Sequence, residues 1–295
     1  MPNRCAARPL AAFVLAVAAP LALAAVPALA QAGPPRPSPK ATVSQVVGIT
    51  EIAIAYSSPS VRGREIWGAL VPWGKVWRTG ANEATTFAVS SDVMVEGKPL
   101  PAGTYALFTI PNQDHWTLIF NKQSDQWGAF KHDPAQDALR VDVKPVQSNL
   151  QERMQFLFSE SDDGSAEVML RWENVAVPFT VTVDTPKLAL AKAEKELAAA
   201  DAKRTAFVSW ARWLQEHDVA ADRALVWAEK GAAGDDGAKS YWAQAVLARL
   251  QAKAGHAKEA RAAAERALAA AATDKAEGVA ADADKLRQEM TAWGK

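Results

Sequence analysis

Residues 105–120 read Tyr105-Ala106-Leu107-Phe108-Thr109-Ile110-Pro111-Asn112-Gln113-Asp114-His115-Trp116-Thr117-Leu118-Ile119-Phe120. An apolar run ends in a Pro-Asn-Gln-Asp turn, and Trp116, Leu118 and Phe120 then recur at every second position. A period of two belongs to a strand, where successive side chains point to opposite faces. Two such runs around a short polar turn predict a hairpin. The same pattern extends outward in both directions. Before it come Ile52, Ile54 and Tyr56 alternating with Ala53 and Ala55, then Phe87 and Val89, then Val93 to Leu100 broken by Glu96-Gly97-Lys98. After it come Leu139, Val141 and Val143, then Met154, Phe156 and Phe158 leading into Asp162-Asp163-Gly164-Ser165. Val168, Leu170 and Trp172 return, and Phe179, Val181 and Val183 end the series. Eight to ten short strands with no helical pattern between them predict an all-β antiparallel sandwich, or an open barrel, over residues 41–185.

The composition changes at Pro186, the last proline of the chain. Thr185 reads as an N-cap and Pro186 as the first turn of a helix. Residues 186–295 are rich in Ala, Leu, Lys, Glu and Arg, all good helix formers. Phe207, Trp210, Ala211 and Leu214 recur at helical spacing, as do Trp242, Ala245, Val246 and Leu250. Gly231, Gly234 and Gly237 predict a loop, and Gly255 a helix end. Phe207 matches Tyr241 at an offset of 34, and Ala224, Ala228 and Glu229 match Ala260, Ala264 and Glu265 at 36. That spacing is close to the ~34-residue period of tetratricopeptide helix pairs. A tetratricopeptide-like array of helical hairpins and a bundle packed on the sandwich both fit. Trp210, Trp213 and Trp227 fall where helices pack on each other.

Residues 1–30 carry Arg4 and Arg8, an apolar run from Leu10 to Val26 interrupted by Pro20, and the small-x-small site Ala28-Leu29-Ala30. This is the layout of a secretory signal peptide. A Pro-rich linker over 31–40, with prolines at 34, 35, 37 and 39, follows it. The protein is expected to be exported, to the periplasm or beyond. Cleavage removes Cys5, the one cysteine, so disulfides and cysteine-based metal sites are excluded from the mature chain. No segment after the leader is apolar enough to span a bilayer.

The 295 residues hold 33 basic and 33 acidic side chains, a balance that argues against nucleic acid as a partner. The balance is uneven: residues 31–186 hold 13 basic and 17 acidic, residues 187–295 hold 18 and 16. Within the acidic part, Arg62, Arg64, Lys75 and Arg78 gather in one stretch. That stretch, Val61 to Thr86, also contains Trp67, Trp73, Trp77, Asn82 and Glu83, with no strand or helix period. A long irregular segment in a β-domain is a functional loop or a packed one. As a cleft, its indoles would stack on a ligand, its guanidiniums would hold an anion and Glu83 would act as acid, base or ligand. As packing, the tryptophans would plug the sandwich and Arg78 would pair with Glu83.

Motifs for nucleophilic catalysis, phosphate binding and dinucleotide binding are missing, and no cofactor is implied. His115, His132, His217 and His256 are not at metal-ligand spacing, so no metal site is expected. Asp125, Asp133 and Asp137 near Lys122 and Trp127 could supply paired carboxylates for glycoside chemistry. Ser57, Ser58 and Ser60 read as strand termination.

Two strings are long enough to recognise: Val76-Trp77-Arg78-Thr79-Gly80-Ala81-Asn82-Glu83-Ala84-Thr85-Thr86, and Leu100 to Pro111. With Ser58 to Arg64, Asn121-Lys122, Trp127-Gly128 and Trp172-Glu173, they resemble an exported bacterial family known only as a domain of unknown function. The resemblance covers about Thr42 to Val183, and some members are similar in carrying a tetratricopeptide-like tail. It implies no activity. It does raise the weight of Arg78, Asn82, Glu83, Asn121, Lys122 and Trp127 as a shared site, and departs at His132, where an aromatic such as tyrosine is expected. The resulting expectation is a non-catalytic binding module. Arg62, Arg64, Trp77, Arg78, Asn82, Glu83, Asn121, Lys122 and Trp127 would hold a small polar, anionic or glycan ligand, and residues 186–295 would dock a protein partner. A hydrolase of envelope glycan or peptide using Glu83, and a structural scaffold, are the alternatives.

Overall fold

The computed structural model describes residues 34–293, so the leader expected over 1–30 lies outside the described residues. The alternating runs become ten strands: β1 (Lys40–Val47), β2 (Thr50–Ser57), β3 (Thr85–Val89), β4 (Val93–Val95), β5 (Lys98–Leu100), β6 (Gly103–Pro111), β7 (Trp116–Asn121), β8 (Asp137–Val143), β9 (Val146–Ser161) and β10 (Ser165–Thr182). They make two antiparallel sheets, ordered β1-β2-β3-β6-β7-β8 and β5-β4-β10-β9. The opening hairpin is β6–β7, with Leu107 opposite Phe120 and Pro111 opposite Trp116.

One face of each strand is apolar because the pattern repeats every two residues, and these faces meet between the sheets. Ile52, Ile54, Phe87, Leu107, Leu118 and Phe120 from the six-stranded sheet pack in one core with Val168, Leu170, Trp172, Phe179 and Val181 from the other. The ring of Phe87 meets Phe120 edge-on at 5.1 Å and lies 6.2 Å from Phe179. Each such side chain contributes about 1.5–3 kcal/mol on burial. Glu96 and Gly97 both take positive φ (49° and 72°), which closes the β4–β5 hairpin as a tight turn of the hand that suits twisted strands.

The strands are not all short. The runs Val168-Leu170-Trp172 and Val177-Phe179-Val181 belong to one strand of 18 residues paired with one of 16. Their inward positions are even in the first run and odd in the second. The change of parity falls at Glu173, which sits at φ 55° between two register shifts, and the extra residues are on β9, where Gln155 to Gln151 faces Arg171 to Glu173. Such an irregularity bends the paired strands, and the left-handed Glu173 lies where the apolar set of β10 passes from one parity to the other.

Among the described residues seven helices follow: α1 (Thr185–Leu197), α2 (Arg204–Glu216), α3 (Ala221–Ala232), α4 (Gly234–Ala238), α5 (Tyr241–Lys253), α6 (Ala257–Ala271) and α7 (Val279–Met290). The cap of α1 is Asp184 rather than Thr185: its Oδ1 accepts from the Lys187 amide at 3.1 Å. Thr185 instead begins the helix and donates its hydroxyl to the Asp163 carbonyl in the β9–β10 turn. Gly231 is not in an open loop either. It lies buried inside α3, where a Cβ would come within 2.6 Å of Val208 Cγ2, so its missing side chain lets α3 approach α2. Residues at the repeat offsets share a buried environment: Ala211 with Ala245, Ala224 with Ala260, Ala228 with Ala264. The strands and helices belong to one compact unit that begins at Pro37.

Candidate functional site

The tryptophans of the 61–86 segment go mostly inward. Trp67 meets Trp116 edge-on at 4.9 Å, Trp172 at 5.6 Å and Trp77 at 5.8 Å, and Trp73 lies 6.5 Å from it. Trp77 stacks on Trp172 at 5.8 Å, is only 8% exposed, and donates its indole N–H to the Gly80 carbonyl at 3.1 Å. Its backbone is clipped to β6 by reciprocal hydrogen bonds with Thr109. Aromatic pairs at such distances add about 0.5–1.5 kcal/mol each beyond burial, so this cluster is part of the core.

The arginines do not gather around it. Arg62 sits at φ 52° with its amide bonded to Glu152 Oε1 at 3.0 Å. Arg64 turns back on its own loop, donating to the carbonyls of Val61 and Ser60. Arg78 is half-buried, its Nε meets no acceptor, and burial pushes its pKa below the usual arginine value.

Asn82, Glu83 and Trp127 do come together. Glu83 and Trp127 form an isolated antiparallel bridge, framed by hydrogen bonds from the Ala84 amide to the Gln126 carbonyl (3.0 Å) and from the Gly128 amide to the Asn82 carbonyl (3.1 Å). Asn82 takes positive φ (58°) and donates its side-chain amide to the Ser38 carbonyl at 3.2 Å. Glu83 Oε1 lies 3.7 Å from Lys40 Nζ, and Ser57 Oγ donates to Glu83 Oε2 at 3.5 Å. Lys40 is thus a cation matched to Glu83, and among the described residues no ion pair joins Glu83 to Arg78. Lys40, Ser57 and Glu83, with Thr42 and Thr86, line a pocket of about 220 Å³ over the first three strands of the larger sheet. Its walls thus offer a carboxylate, an ammonium and several hydroxyls.

Lys40 and Ser57 were not anticipated as site residues. The sequence pattern places Lys40 in the linker and Ser57 in a turn, whereas the structure sets them directly opposite in the β1–β2 register. The alternation of polar Lys40, Thr42 and Ser44 along β1 was the available signal.

Asn121 and Lys122 serve the base of the loop that carries Trp127. Asn121 is fully buried, donating to the Asp133 carbonyl (3.0 Å) and Asp137 Oδ1 (2.7 Å) and accepting from the Gln123 amide (3.0 Å). The Lys122 amide bonds to the Gln136 carbonyl at 2.9 Å while its side chain is exposed. Asp137 also receives His132 Nε2 at 3.0 Å and Arg140 Nη2 at 2.6 Å, and the His132 ring stands edge-on to Phe108 at 5.2 Å. The carboxylate weighed for glycoside chemistry at 137 is therefore occupied in holding this loop. Among the described residues no group of three or more His, Cys, Asp or Glu could hold a metal ion. No described helix is long and apolar enough to cross a membrane.

Residues 38–181 match the family model described as a protein of unknown function, DUF2911. The matched stretch runs from just before β1 to the penultimate residue of β10, so it takes in both sheets, the pocket and the Trp127 loop, and leaves out the helices. No curated protein and no solved structure matches the chain.

Proposed function

We propose that this protein is an exported, non-catalytic binding module that holds a small polyhydroxylated ligand in the pocket around Glu83. The observation that carries the reading is the pairing of Glu83 with both Lys40 and Ser57 in an open pocket. A carboxylate accepts from ligand hydroxyls, and an ammonium and hydroxyls donate to them, so a neutral polar molecule finds partners for both of its roles. The volume is below the ~300–1,000 Å³ of pockets for drug-sized ligands, which suits a single sugar unit. An anion is less well served, because the Arg64 guanidinium turns onto the backbone carbonyls of Val61 and Ser60 and none of Arg62, Arg64 and Arg78 lines the pocket. Calorimetry with monosaccharides tests the reading. Glu83→Gln should lose at least tenfold in affinity, and equal affinity of the two proteins would remove Glu83 from the site.

Export is supported by the Arg4/Arg8, Leu10–Val26 and Ala28-Leu29-Ala30 pattern. Expression in a bacterium should yield an extracytoplasmic protein beginning at Gln31, and retention in the cytoplasm with residue 1 intact would overturn it. The helices form the docking surface for a protein partner in this reading. Half-buried Trp210, Trp213 and Trp242, with Arg212 stacked 4.2 Å over Trp242, supply its aromatic anchor. Cross-linking in cells should capture a partner that Trp242→Ala loses, and the same capture by both proteins would exclude that edge.

A further inference from the structure

We infer that Trp127 and Phe130 form a stacking platform that extends the Glu83 pocket, so that the ligand is an oligosaccharide rather than a single sugar. This rests on the pocket reading above and names its substrate class. Trp127 is 57% exposed and Phe130 is 87% exposed, whereas Trp67, Trp77, Trp116 and Trp172 lie in or against the core. Large aromatic side chains left in water on one short loop mark a surface that something else covers.

Placement links the loop to the pocket. Residues directly opposite on a bridge send their side chains to the same side, with Cβ atoms about 5 Å apart. Trp127 therefore leaves the backbone beside Glu83. The loop is held on both flanks, by the Ala84–Gln126 and Gly128–Asn82 hydrogen bonds and by the Lys122–Gln136 closure. Gly128 takes φ 69°, and a Cβ there would come within 2.7 Å of Phe130 Cε2, so the Phe130 ring lies close against bare backbone. Rings carried on a backbone already in place lose little entropy when a ligand settles on them.

Charge decides the chemistry of the occupant. Lys122, Lys131, Asp125 and Asp133 are all exposed around the two rings, two cations against two anions. That arrangement gives no net attraction to an anionic bilayer or a polyanion. A sugar ring instead offers a flat edge of C–H groups to the negative face of an aromatic ring. Its hydroxyls, around that edge, can meet side chains of either sign. A chain of sugars would place one unit at Glu83 and a neighbouring unit on the aromatic loop.

Calorimetry on the exported protein tests this with N-acetylglucosamine, glucose and the β-1,4-linked oligomers of each, from two to six units. We expect one series to bind at least tenfold more tightly as tetramer than as monomer. The Trp127→Ala/Phe130→Ala variant should reduce that ratio below threefold, with melting temperature unchanged. An undiminished length dependence in the variant overturns the inference. Monomer binding that needs Glu83 but gains nothing with length also overturns it, and leaves the pocket reading in place. Length-dependent binding that needs Trp127 but is untouched by Glu83→Gln supports the platform and overturns the pocket. Capture by phosphatidylglycerol vesicles through the two aromatics, with no binding of any sugar, overturns both in favour of a lipid surface.

Discussion

Glu83 and Trp127 face each other across an antiparallel bridge that joins the segment before β3 to the loop after β7. Beneath the join lies a small second core of Ala84, Ala106, Phe108 and Ile119, with Val76 and Ala129 packed against it. The outer face of the larger sheet is thereby covered at one place by two loops that hold each other. The pocket opens beside this place, where the same sheet presents Lys40, Ser57 and Thr86.

The two tryptophans of greatest interest should separate cleanly by stability. Trp77→Ala removes a ring stacked on Trp172 and buried in the core, and should cost about 3–5 kcal/mol. Trp127→Ala removes a ring that is more than half exposed to water, and should change stability by about 0.5 kcal/mol or less. Urea unfolding of both variants checks the pair. A loss at Trp127 comparable to that at Trp77 would make the loop aromatic structural.

Much of this was legible in the alternation itself. The β6–β7 hairpin, the β4–β5 turn and the switch to helices near Pro186 follow from local periods and turn residues. What stayed hidden depends on parity and on contacts far apart in sequence. The irregularity at Glu173 is visible only once the runs before and after it are known to share one strand. Trp77 and Trp127 are the same residue type in equally irregular segments, and only the packing of Trp116 and Trp172 sends one inward. Likewise Lys40 and Ser57 become site residues through strand register, which a single run cannot specify.

Gly48 should tolerate no side chain. It turns β1 into β2 at φ 56°, and a Cβ would run into Thr185 and within 2.8 Å of the Asp163 carbonyl. A left-handed conformation alone costs a non-glycine residue about 1–2 kcal/mol, and the contact adds to it. Gly48→Ala should therefore lose at least ~2 kcal/mol by denaturant titration. Because Thr185 is also the first residue of α1, the variant should loosen the helices from the sheets. Near-ultraviolet dichroism of the helix tryptophans should then change earlier in the titration than the sheet signal. A single unshifted transition would show that the junction carries no such load.

Gly231 makes the corresponding test within the helices. Its backbone conformation is ordinary, so the constraint is space alone: Val208 Cγ2 would be 2.6 Å from an added methyl group. Gly231→Ala should gain slightly in helix propensity and still destabilise by about 1–3 kcal/mol through overpacking. Val208→Ala in the same chain should restore part of that loss. Failure of the second change to rescue the first would place the strain elsewhere.

The α5–α7 contact should show as a pH dependence. Arg249 bonds to Asp282 through both Nη atoms at 3.0 and 3.1 Å and to Glu289 through Nε at 2.6 Å, and the Tyr241 hydroxyl donates to Asp282 at 2.6 Å. Burial works to raise the Asp282 pKa, but the hydrogen bonds from Arg249 and Tyr241, with the Arg249 charge, outweigh it and hold it below the usual carboxylate range. Burial and the same carboxylate push the Tyr241 pKa up, so the phenol remains a donor throughout. A carboxylate with a depressed folded pKa stabilises fully above its unfolded value of about 4, and that contribution fades as pH falls through the folded value. Asp282→Asn lacks this titration. The variant should therefore be less stable than wild type by about 1–3 kcal/mol near pH 7, and the gap should shrink as pH drops below about 4. Urea titrations of both proteins from pH 3 to pH 7 give the difference directly, and carboxylates common to both largely cancel. A gap that stays constant across that range would mean that Asp282 stabilises by shape, without its charge.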